Sequence, residues 1–243
     1  MKTKSLLHCA SLGLAAITML CLTTQSSLAA TWDASADFSL ASNPNGAWTY
    51  QYLTGLAPGE YGDFTFADNN RDGLAGLLSW TQATGSIPGV FKNTSATNTY
   101  YGWEPGALGM YPSATGNHSV VTWTAPSSGD YSLASSFNWL GTSGNGVVAS
   151  VAKNAFTGLV QLGAQQIGGN SPSTYSYNDT LTLSAGDTIS WALNANGAND
   201  VEDFTRLNAV VTSVPEPSTY AFLCIGAIGM FFVHRRNKAR VNL

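Results

Sequence analysis

The second half of the chain alternates apolar and polar residues with a period of two, and this alternation limits the possible fold more than any other feature. From His118 onward, short runs rich in Val, Thr, Tyr, Trp and Leu are separated by turns of Gly, Pro, Ser, Asn and Asp. A period of two places every second side chain on one face of a β-strand, whereas no helical period persists. The sequence therefore predicts an all-β domain.

The predicted strands are short and follow one another closely. The clearest pair covers residues 119–124 and 131–138, and the same alternation continues in the runs Val147 to Val151, Ile189 to Leu193 and Phe204 to Thr212. The predicted inward face of the second strand is formed by Tyr131, Leu133, Ser135 and Phe137. Strands joined by short turns over residues 31–213 predict a two-sheet antiparallel β-sandwich of the jelly-roll type.

Residues 214–243 have the order of a membrane-directed signal. Pro215, Glu216 and Pro217 end the last predicted strand, because proline donates no backbone hydrogen bond. The apolar run from Tyr220 to Val233 would span roughly 21 Å as a helix, less than the roughly 30 Å of a bilayer core. A helix over 218–234, with flanking arginines reaching the interface, reduces that mismatch. The basic residues that would hold its end in the cytoplasm are Arg235, Arg236, Lys238 and Arg240. The alternative is a buried C-terminal helix of the folded domain.

This order resembles the PEP-CTERM sorting signal of exported bacterial proteins, in which a Pro-Glu-Pro motif precedes a short membrane helix and an Arg-rich tail. The resemblance implies that an exosortase-type membrane protease recognises Pro215, Glu216 and Pro217 and cuts nearby, in a Gram-negative bacterium that builds extracellular polysaccharide. The runs Val121 to Pro126 and Leu183 to Ile189 are also similar to segments of other proteins that carry this signal. That second resemblance implies a fold like carbohydrate-binding sandwiches, and it brings no catalytic residues.

Residues 1–30 have the features of a signal peptide. Lys2 and Lys4 precede an apolar stretch, and small residues lead up to a predicted signal-peptidase site after Ala29 or Ala30. All three cysteines lie in the two terminal segments. The predicted exported domain, residues 31–213, therefore has no thiol for a disulfide or for a thiolate metal site.

The predicted domain is acidic. Four of the ten Lys and Arg residues and 13 of the 14 Asp and Glu residues lie between positions 31 and 213, which gives that segment a net charge of −9. A basic patch is the usual signature of a nucleic-acid-binding domain, so nucleic acid is not an expected partner. Neutral glycans and divalent cations are compatible with this charge.

One loop has the beginning of a calcium-binding pattern. Asp68, Asn70 and Asp72 supply oxygen ligands at alternate positions, and Gly73 occupies the place of the invariant glycine. The twelfth position, where a bidentate glutamate normally closes the coordination shell, is Ser79. Calcium is therefore an expectation that needs ligands from elsewhere, and a polar turn is the alternative.

Aromatic residues form the second candidate site. All seven tryptophans lie in residues 31–213, and Trp123 and Trp191 fall within alternating strands, which predicts burial. Tyr100, Tyr101, Trp103 and Tyr111 lie instead in Gly-rich sequence, where we expect an exposed carbohydrate-binding surface. Aromatic packing that closes one end of the sandwich is the alternative.

Catalytic signatures are few. His118 is the only histidine of residues 31–213, no Gly-x-Ser-x-Gly elbow occurs, and we expect no catalytic residues. Glu60, Glu104 and Glu202 are carboxylates that a glycosidase would need in pairs, and their separation cannot be deduced from sequence. The expected function is a non-catalytic surface or exopolysaccharide-matrix protein that binds carbohydrate. A polysaccharide-modifying hydrolase and a purely structural matrix component are the alternatives.

Overall fold

A computed structural model describes residues 29–54, 61–155, 160–197 and 199–215. One compact unit spans Ala30–Val214. The predicted signal peptide, except for its last two residues, and the predicted membrane helix lie outside the described residues. Within the described ranges, no helix is both long and apolar enough to cross a bilayer.

The described residues form fourteen strands, numbered here in chain order, and two sheets. The larger sheet contains β1 (Thr31–Asp33), β4 (Phe66–Asp68), β5 (Leu77–Thr81), β6 (Gly89–Asn93), β7 (Leu108–Tyr111), β9 (Gly129–Trp139), β12 (Thr174–Leu183) and β14 (Thr205–Val214). The smaller sheet contains β2 (Trp48–Leu53), β3 (Tyr61–Asp63), β8 (His118–Thr124), β10 (Val147–Lys153), β11 (Val160–Ile167) and β13 (Thr188–Ala195). A single 3-10 turn, Arg71–Gly73, lies between β4 and β5.

Both sheets are antiparallel throughout the described strand pairs. The order in the larger sheet is β12-β9-β14-β7-β6-β5-β4, with β1 also paired to β14, and the order in the smaller sheet is β11-β10-β13-β8-β2-β3. The prediction of an all-β, two-sheet antiparallel fold is confirmed.

The core lies between the two sheets and follows the period-two pattern. On β9 the predicted inward residues Tyr131, Leu133, Ser135 and Phe137 are all buried. On β14 the buried face consists of Thr205, Leu207, Ala209 and Val211, which sets a register that the sequence left open. Trp123 and Trp191 are fully buried, as predicted, and Trp48 packs 5.9 Å from Trp191 between ring centroids.

The pairing of the predicted strands differs from expectation. Residues 119–124 and 131–138 both form strands, but the first belongs to the smaller sheet and the second to the larger one. β8 pairs with β2 and β13, whereas β9 pairs with β12 and β14. The connection crosses from one sheet to the other, because each strand can then turn its apolar face to the same core.

The two ends of the compact unit lie side by side. Thr31 and Thr212 are opposite each other across β1 and β14, and the backbone N–H of Ser213 donates to the carbonyl of Ala30 at 2.8 Å. β14 ends at Val214, directly before Pro215. The predicted end of the last strand at the first proline is therefore confirmed.

Candidate functional site

An aromatic cleft opens at the larger sheet, where β6, β7 and β14 meet the segments around Arg71 and Tyr101. Its volume is about 190 Å³. The residues that line it, and that define the aromatic cleft throughout, are Arg71, Asp72, Ile87, Phe91, Tyr101, Trp103, Tyr111 and Phe204. Five of the eight are aromatic and two are charged, a composition typical of small-ligand sites.

Tyr101 sits at the tip of a tight turn that presents its ring to solvent. The N–H of Trp103 donates to the carbonyl of Tyr100 at 2.7 Å, and the two central residues, Tyr101 and Gly102, have φ of 52° and 81°. Positive φ at both central positions defines a type I′ turn, which favours Asn and Gly. A tyrosine there holds a strained, left-handed backbone, and its side chain is 40% exposed.

A second strained residue lies directly opposite. Asp72 has φ of 56°, and its Oδ2 accepts a hydrogen bond of 3.1 Å from the Tyr101 hydroxyl. Of the four non-glycine residues with positive φ among the described residues, two are thus joined by a hydrogen bond at the aromatic cleft. Backbone strain of roughly 1 to 3 kcal/mol per residue is found preferentially at functional sites.

Phe204 is the centre of the aromatic packing. Its ring stacks on Tyr101, with centroids 4.8 Å apart and planes at 15°, and lies 4.7 Å from Tyr111. It also meets the edge of Trp103 at 5.7 Å. The Tyr101 ring is held by this stacking, by an edge contact with Trp103 at 5.9 Å and by its hydrogen bond to Asp72, so the exposed aromatic surface is preorganised and few rotamers would be lost on binding.

Trp103 is not the exposed loop residue that the sequence predicts, and that expectation is wrong. Only 1% of it is exposed, it stacks on Phe91 at 5.0 Å, and its Nε1 donates to the Thr205 carbonyl at 3.2 Å. The ring fits because residue 109 is glycine: a Cβ there would lie 2.2 Å from Trp103 Cε2. Trp103 forms the buried floor of the aromatic cleft.

The other two predicted binding residues are held by hydrogen bonds of their own. The Tyr100 hydroxyl donates to the Ala75 carbonyl at 2.9 Å, and Tyr100 does not line the aromatic cleft. The Tyr111 hydroxyl donates to the Asp200 carbonyl at 2.5 Å. Burial and the nearby Asp200 carboxylate raise the pKa of Tyr111 to about 12, so its ring lines the cleft with the hydroxyl protonated.

The residues of the calcium pattern have separate partners. Asp68 Oδ1 accepts the N–H of Asn70 at 2.9 Å, while Asp72 contacts Arg71 and Tyr101. No group of three His, Cys, Asp or Glu side chains is placed to hold a metal ion in the described part of the chain. Calcium binding at Asp68, Asn70 and Asp72 stays a prediction.

The three glutamates considered for a glycosidase are not brought together as a catalytic pair in the described part of the chain. Glu104 is exposed and lies 3.4 Å from Arg206, and Glu60 is outside the described residues. Glu202 accepts the N–H groups of Thr142 and Ser143 at 2.7 Å each, and these bonds lower the pKa of its carboxyl group. A carboxyl group held ionised in this way is a poor general acid.

Asp203 is a buried ionisable group, and His118 is a partly buried one. Asp203 is fully buried, and its pKa is raised to about 7 by burial and by Asp200. Neither of its carboxylate oxygens has a hydrogen-bond partner among the described residues. His118 begins β8, and burial lowers its pKa.

Several cleft residues have no local signal in the sequence. Arg71 occupies a variable position of the calcium pattern, Ile87 precedes a strand, and Phe204 was assigned only to the predicted last strand. Phe204 reaches the cleft because β14 pairs with β7, nearly a hundred residues earlier in the chain, while Arg71 and Ile87 precede β5 and β6, which pair with each other and continue to β7. A single sequence carries no information about such a pairing.

Two antiparallel sheets around the main apolar core define the described domain as a β-sandwich, and the aromatic cleft adjoins a second, smaller buried cluster that contains Phe91 and Trp103. Residues 213–236 match the PEP-CTERM protein-sorting motif. This match confirms the predicted sorting signal at Pro215, Glu216 and Pro217. No curated protein sequence matches the chain.

Solved structures with a similar arrangement include carbohydrate-binding modules. The chain is similar to the C-terminal CBM6 module of LamC, a laminarinase from Zobellia galactanivorans, with 16% identity, 44% of this chain and 80% of that chain covered, and a TM-score of 0.26. A family 35 module from an environmental isolate has 24% identity, coverage of 42% and 73%, and a TM-score of 0.25. A module of Cellvibrio mixtus lichenase 5A, solved with cellotriose, has 16% identity, coverage of 58% and 88%, and a TM-score of 0.23.

Proposed function

We propose that this chain is an exported surface or matrix protein that binds carbohydrate at the aromatic cleft through a jelly-roll-type sandwich and has no catalytic activity. The observation that carries the proposal is the Tyr101 ring, which is held in a strained backbone, stacked on Phe204 and hydrogen-bonded to Asp72. Packing alone does not require a tyrosine at the tip of an exposed type I′ turn, where glycine or asparagine would cost less.

The chemistry of the aromatic cleft suits a sugar ring. Flat aromatic faces can pack against the apolar C–H face of a pyranose, while charged and amide groups exchange hydrogen bonds with its hydroxyls. Tyr101 supplies the face, on the side of its ring away from Phe204, and Asp72 and Arg71 supply an acceptor and a donor at its edge. A cleft of about 190 Å³ is small for a drug-sized ligand, so it would hold one sugar unit of a longer glycan.

The sorting signal indicates where in or around the cell the proposed binding site would act. The PEP-CTERM motif implies recognition by an exosortase and processing at the membrane of a Gram-negative bacterium. We propose that signal peptidase removes residues 1–30 and that the C-terminal helix anchors the protein until the exosortase acts. The compact unit would then reach the cell surface or the exopolysaccharide matrix.

A glycan array tests the proposal directly. Wild-type protein should bind a subset of glycans without releasing products, and Tyr101→Ala should lose this binding while unfolding at nearly the same denaturant concentration. Tyr177→Ala is the matched control, because Tyr177 is another partly buried tyrosine, on β12, that does not line the aromatic cleft. Equal binding by wild type and Tyr101→Ala would remove the cleft from consideration, and released products would favour the hydrolase alternative.

A further inference from the structure

Arg71 is the buried cation of the aromatic cleft. It begins the 3-10 turn before β5, and only 5% of the residue is exposed. Its guanidinium carbon lies 5.5 Å from the centroid of the Phe91 ring. Arg71 lines the aromatic cleft, so its charge lies in the wall of the space that a ligand would occupy.

The guanidinium group of Arg71 is poorly satisfied by the protein. Its Nε lies 3.1 Å from Asp72 Oδ1, close enough for an ion pair but without the geometry of a hydrogen bond. Its Nη1 has no hydrogen-bond partner among the described residues. Asp72 is meanwhile shared with the Tyr101 hydroxyl and keeps 40% of its side chain in solvent. Buried donors without partners are destabilising, and more so when they carry charge.

The other basic residues of the compact unit, all of them described, have a different character. Lys153 pairs with Asp187 at 2.9 Å. Arg206 pairs with Glu104 at 3.4 Å and its side chain is 32% exposed, although its Nε has no hydrogen-bond partner among the described residues. Lys92 donates 2.6 Å hydrogen bonds to the Ser35 hydroxyl and to the Gly106 carbonyl. Arg71 combines near-complete burial, a donor without a partner and a place in the wall of a cleft.

We infer that the aromatic cleft selects a sugar unit that bears a carboxylate, a uronate, and that Arg71 binds this carboxylate. A guanidinium presents its N–H groups as a planar fork that matches the two oxygens of a carboxylate. The face of the Tyr101 ring that is not stacked on Phe204 would receive the apolar face of the same sugar. This inference rests on the proposed carbohydrate binding and adds the class of sugar.

The charge of the domain limits how many carboxylates such a glycan carries. Residues 31–213 have a net charge of −9, which repels a densely charged polymer. Exposed charges are screened beyond about 8 Å at physiological ionic strength, whereas a pair inside the cleft is screened much less. The inferred ligand is therefore a mostly neutral glycan with isolated uronate units.

Pairs of matched oligosaccharides test the inference on the full-length chain in detergent. Each pair consists of a tetrasaccharide with one uronate unit and three neutral units, and the same molecule with its carboxyl group reduced to an alcohol. Glucuronate, galacturonate and mannuronate forms cover the common stereochemistries, and a form with a sulfate ester replaces the carboxylate by another anion. Calorimetry should give at least tenfold tighter binding for one uronate than for its reduced partner.

Variants then assign the preference to Arg71. Arg71→Met should bring the tenfold ratio close to one, because affinity for the uronate should fall much further than affinity for the reduced oligosaccharide. Arg206→Gln, which removes an arginine outside the cleft, should leave the ratio unchanged. Because the wild-type ratio needs no variant, the inference can be tested even if Arg71→Met fails to fold.

Three other results of these measurements would contradict the inference, and each one identifies the part that is wrong. Equal affinity for the uronate and reduced forms would overturn the role of Arg71 and leave the proposed carbohydrate binding intact. Tighter binding of the sulfate ester than of every uronate would overturn the assignment to a carboxylate. Binding of none of the oligosaccharides would overturn both the inference and the proposed function at this cleft.

Discussion

Replacing Asp203 by asparagine should remove a specific pH dependence from the stability of the domain. Asp203 is fully buried, its carboxylate oxygens lack partners among the described residues, and its folded-state pKa is about 7. In the unfolded chain an aspartate has a pKa of about 3.9. The folded protein therefore holds a proton on Asp203 across a pH range in which the unfolded chain has lost it.

The sign and the size of the effect follow from this difference in proton binding. Below about pH 4 both states are protonated, and the stabilising contribution of the protonated group is fully present. Between about pH 4 and pH 7 the free energy of unfolding should fall by roughly 1.4 kcal/mol per pH unit, to a total of at most roughly 4 kcal/mol. Above pH 7 both states are ionised, and the contribution of Asp203 stays constant.

Other described groups also titrate in or near this range, among them Asp187 and His118, and must be separated from Asp203. Hydrogen bonds from Ser184, Lys153 and Asn154 lower the pKa of Asp187 to about 2, so its contribution is lost only as the pH falls below about 4. Burial lowers the pKa of His118, which makes the folded state more stable as the pH rises toward about 6.5. Both contributions cancel when wild type and Asp203→Asn are compared at each pH.

The assay is urea unfolding of the segment 30–214, followed by tryptophan fluorescence at pH 5, 6, 7 and 8. This segment contains both sheets and the whole described core, so we expect it to fold alone. The stability difference between wild type and Asp203→Asn should fall by roughly 1.4 kcal/mol per pH unit from pH 5 to 7 and then level off. Parallel stability curves for the two proteins across that range would refute the reasoning.

Four further outcomes are expected. Trp191→Ala and Trp103→Ala should each lower the free energy of unfolding by roughly 3 to 5 kcal/mol in urea titrations, because both rings are buried; a much smaller loss for Trp103→Ala would contradict its placement. Gly109→Ala should destabilise the domain by more than 1 kcal/mol in the same assay, since its methyl group would overlap the Trp103 ring. Alanines at 215–217 should leave unprocessed protein in the inner membrane, and an unchanged mature mass would count against this. Calcium should raise the melting temperature of wild type but not of Asp72→Ala, and no shift in wild type would end the calcium hypothesis.

The sequence predicts those parts of the fold that depend on neighbouring residues. The inward face of β9 from Tyr131 to Phe137 follows from the period of two, and the end of β14 follows from Pro215. Strand partners are not local, so sequence does not show which strands pair. Residues 119–124 and 131–138 follow each other closely in the chain and yet lie in different sheets. The strands before His118 were not predicted, because they are short and their alternation is interrupted by turns.

The candidate site was only partly predictable for the same reason. The sequence predicts Tyr101 and Tyr111 as binding residues because they are aromatic residues in Gly-rich sequence, and both line the aromatic cleft. The burial of Trp103 depends on the absence of a side chain at Gly109, six positions along the chain. Phe204 joins the site through the pairing of β14 with β7, and Arg71 joins it through the pairings of β5 with β6 and of β6 with β7.

The position of β14 has a consequence for the time at which the domain can fold. This strand is the last to be synthesised, yet it lies inside the larger sheet, paired with β9 and β7, and β1 also pairs with it. The larger sheet therefore cannot be completed until residues 205–214 have crossed the membrane, and closing contacts between such distant parts of the chain is slow. The sorting motif follows immediately, so under the proposed sorting the sheet closes on a chain still attached at its C-terminus only when closure precedes cutting. Cutting before closure would release an incomplete sandwich with unpaired strand edges, so the order of folding and processing should decide how much protein reaches the surface intact.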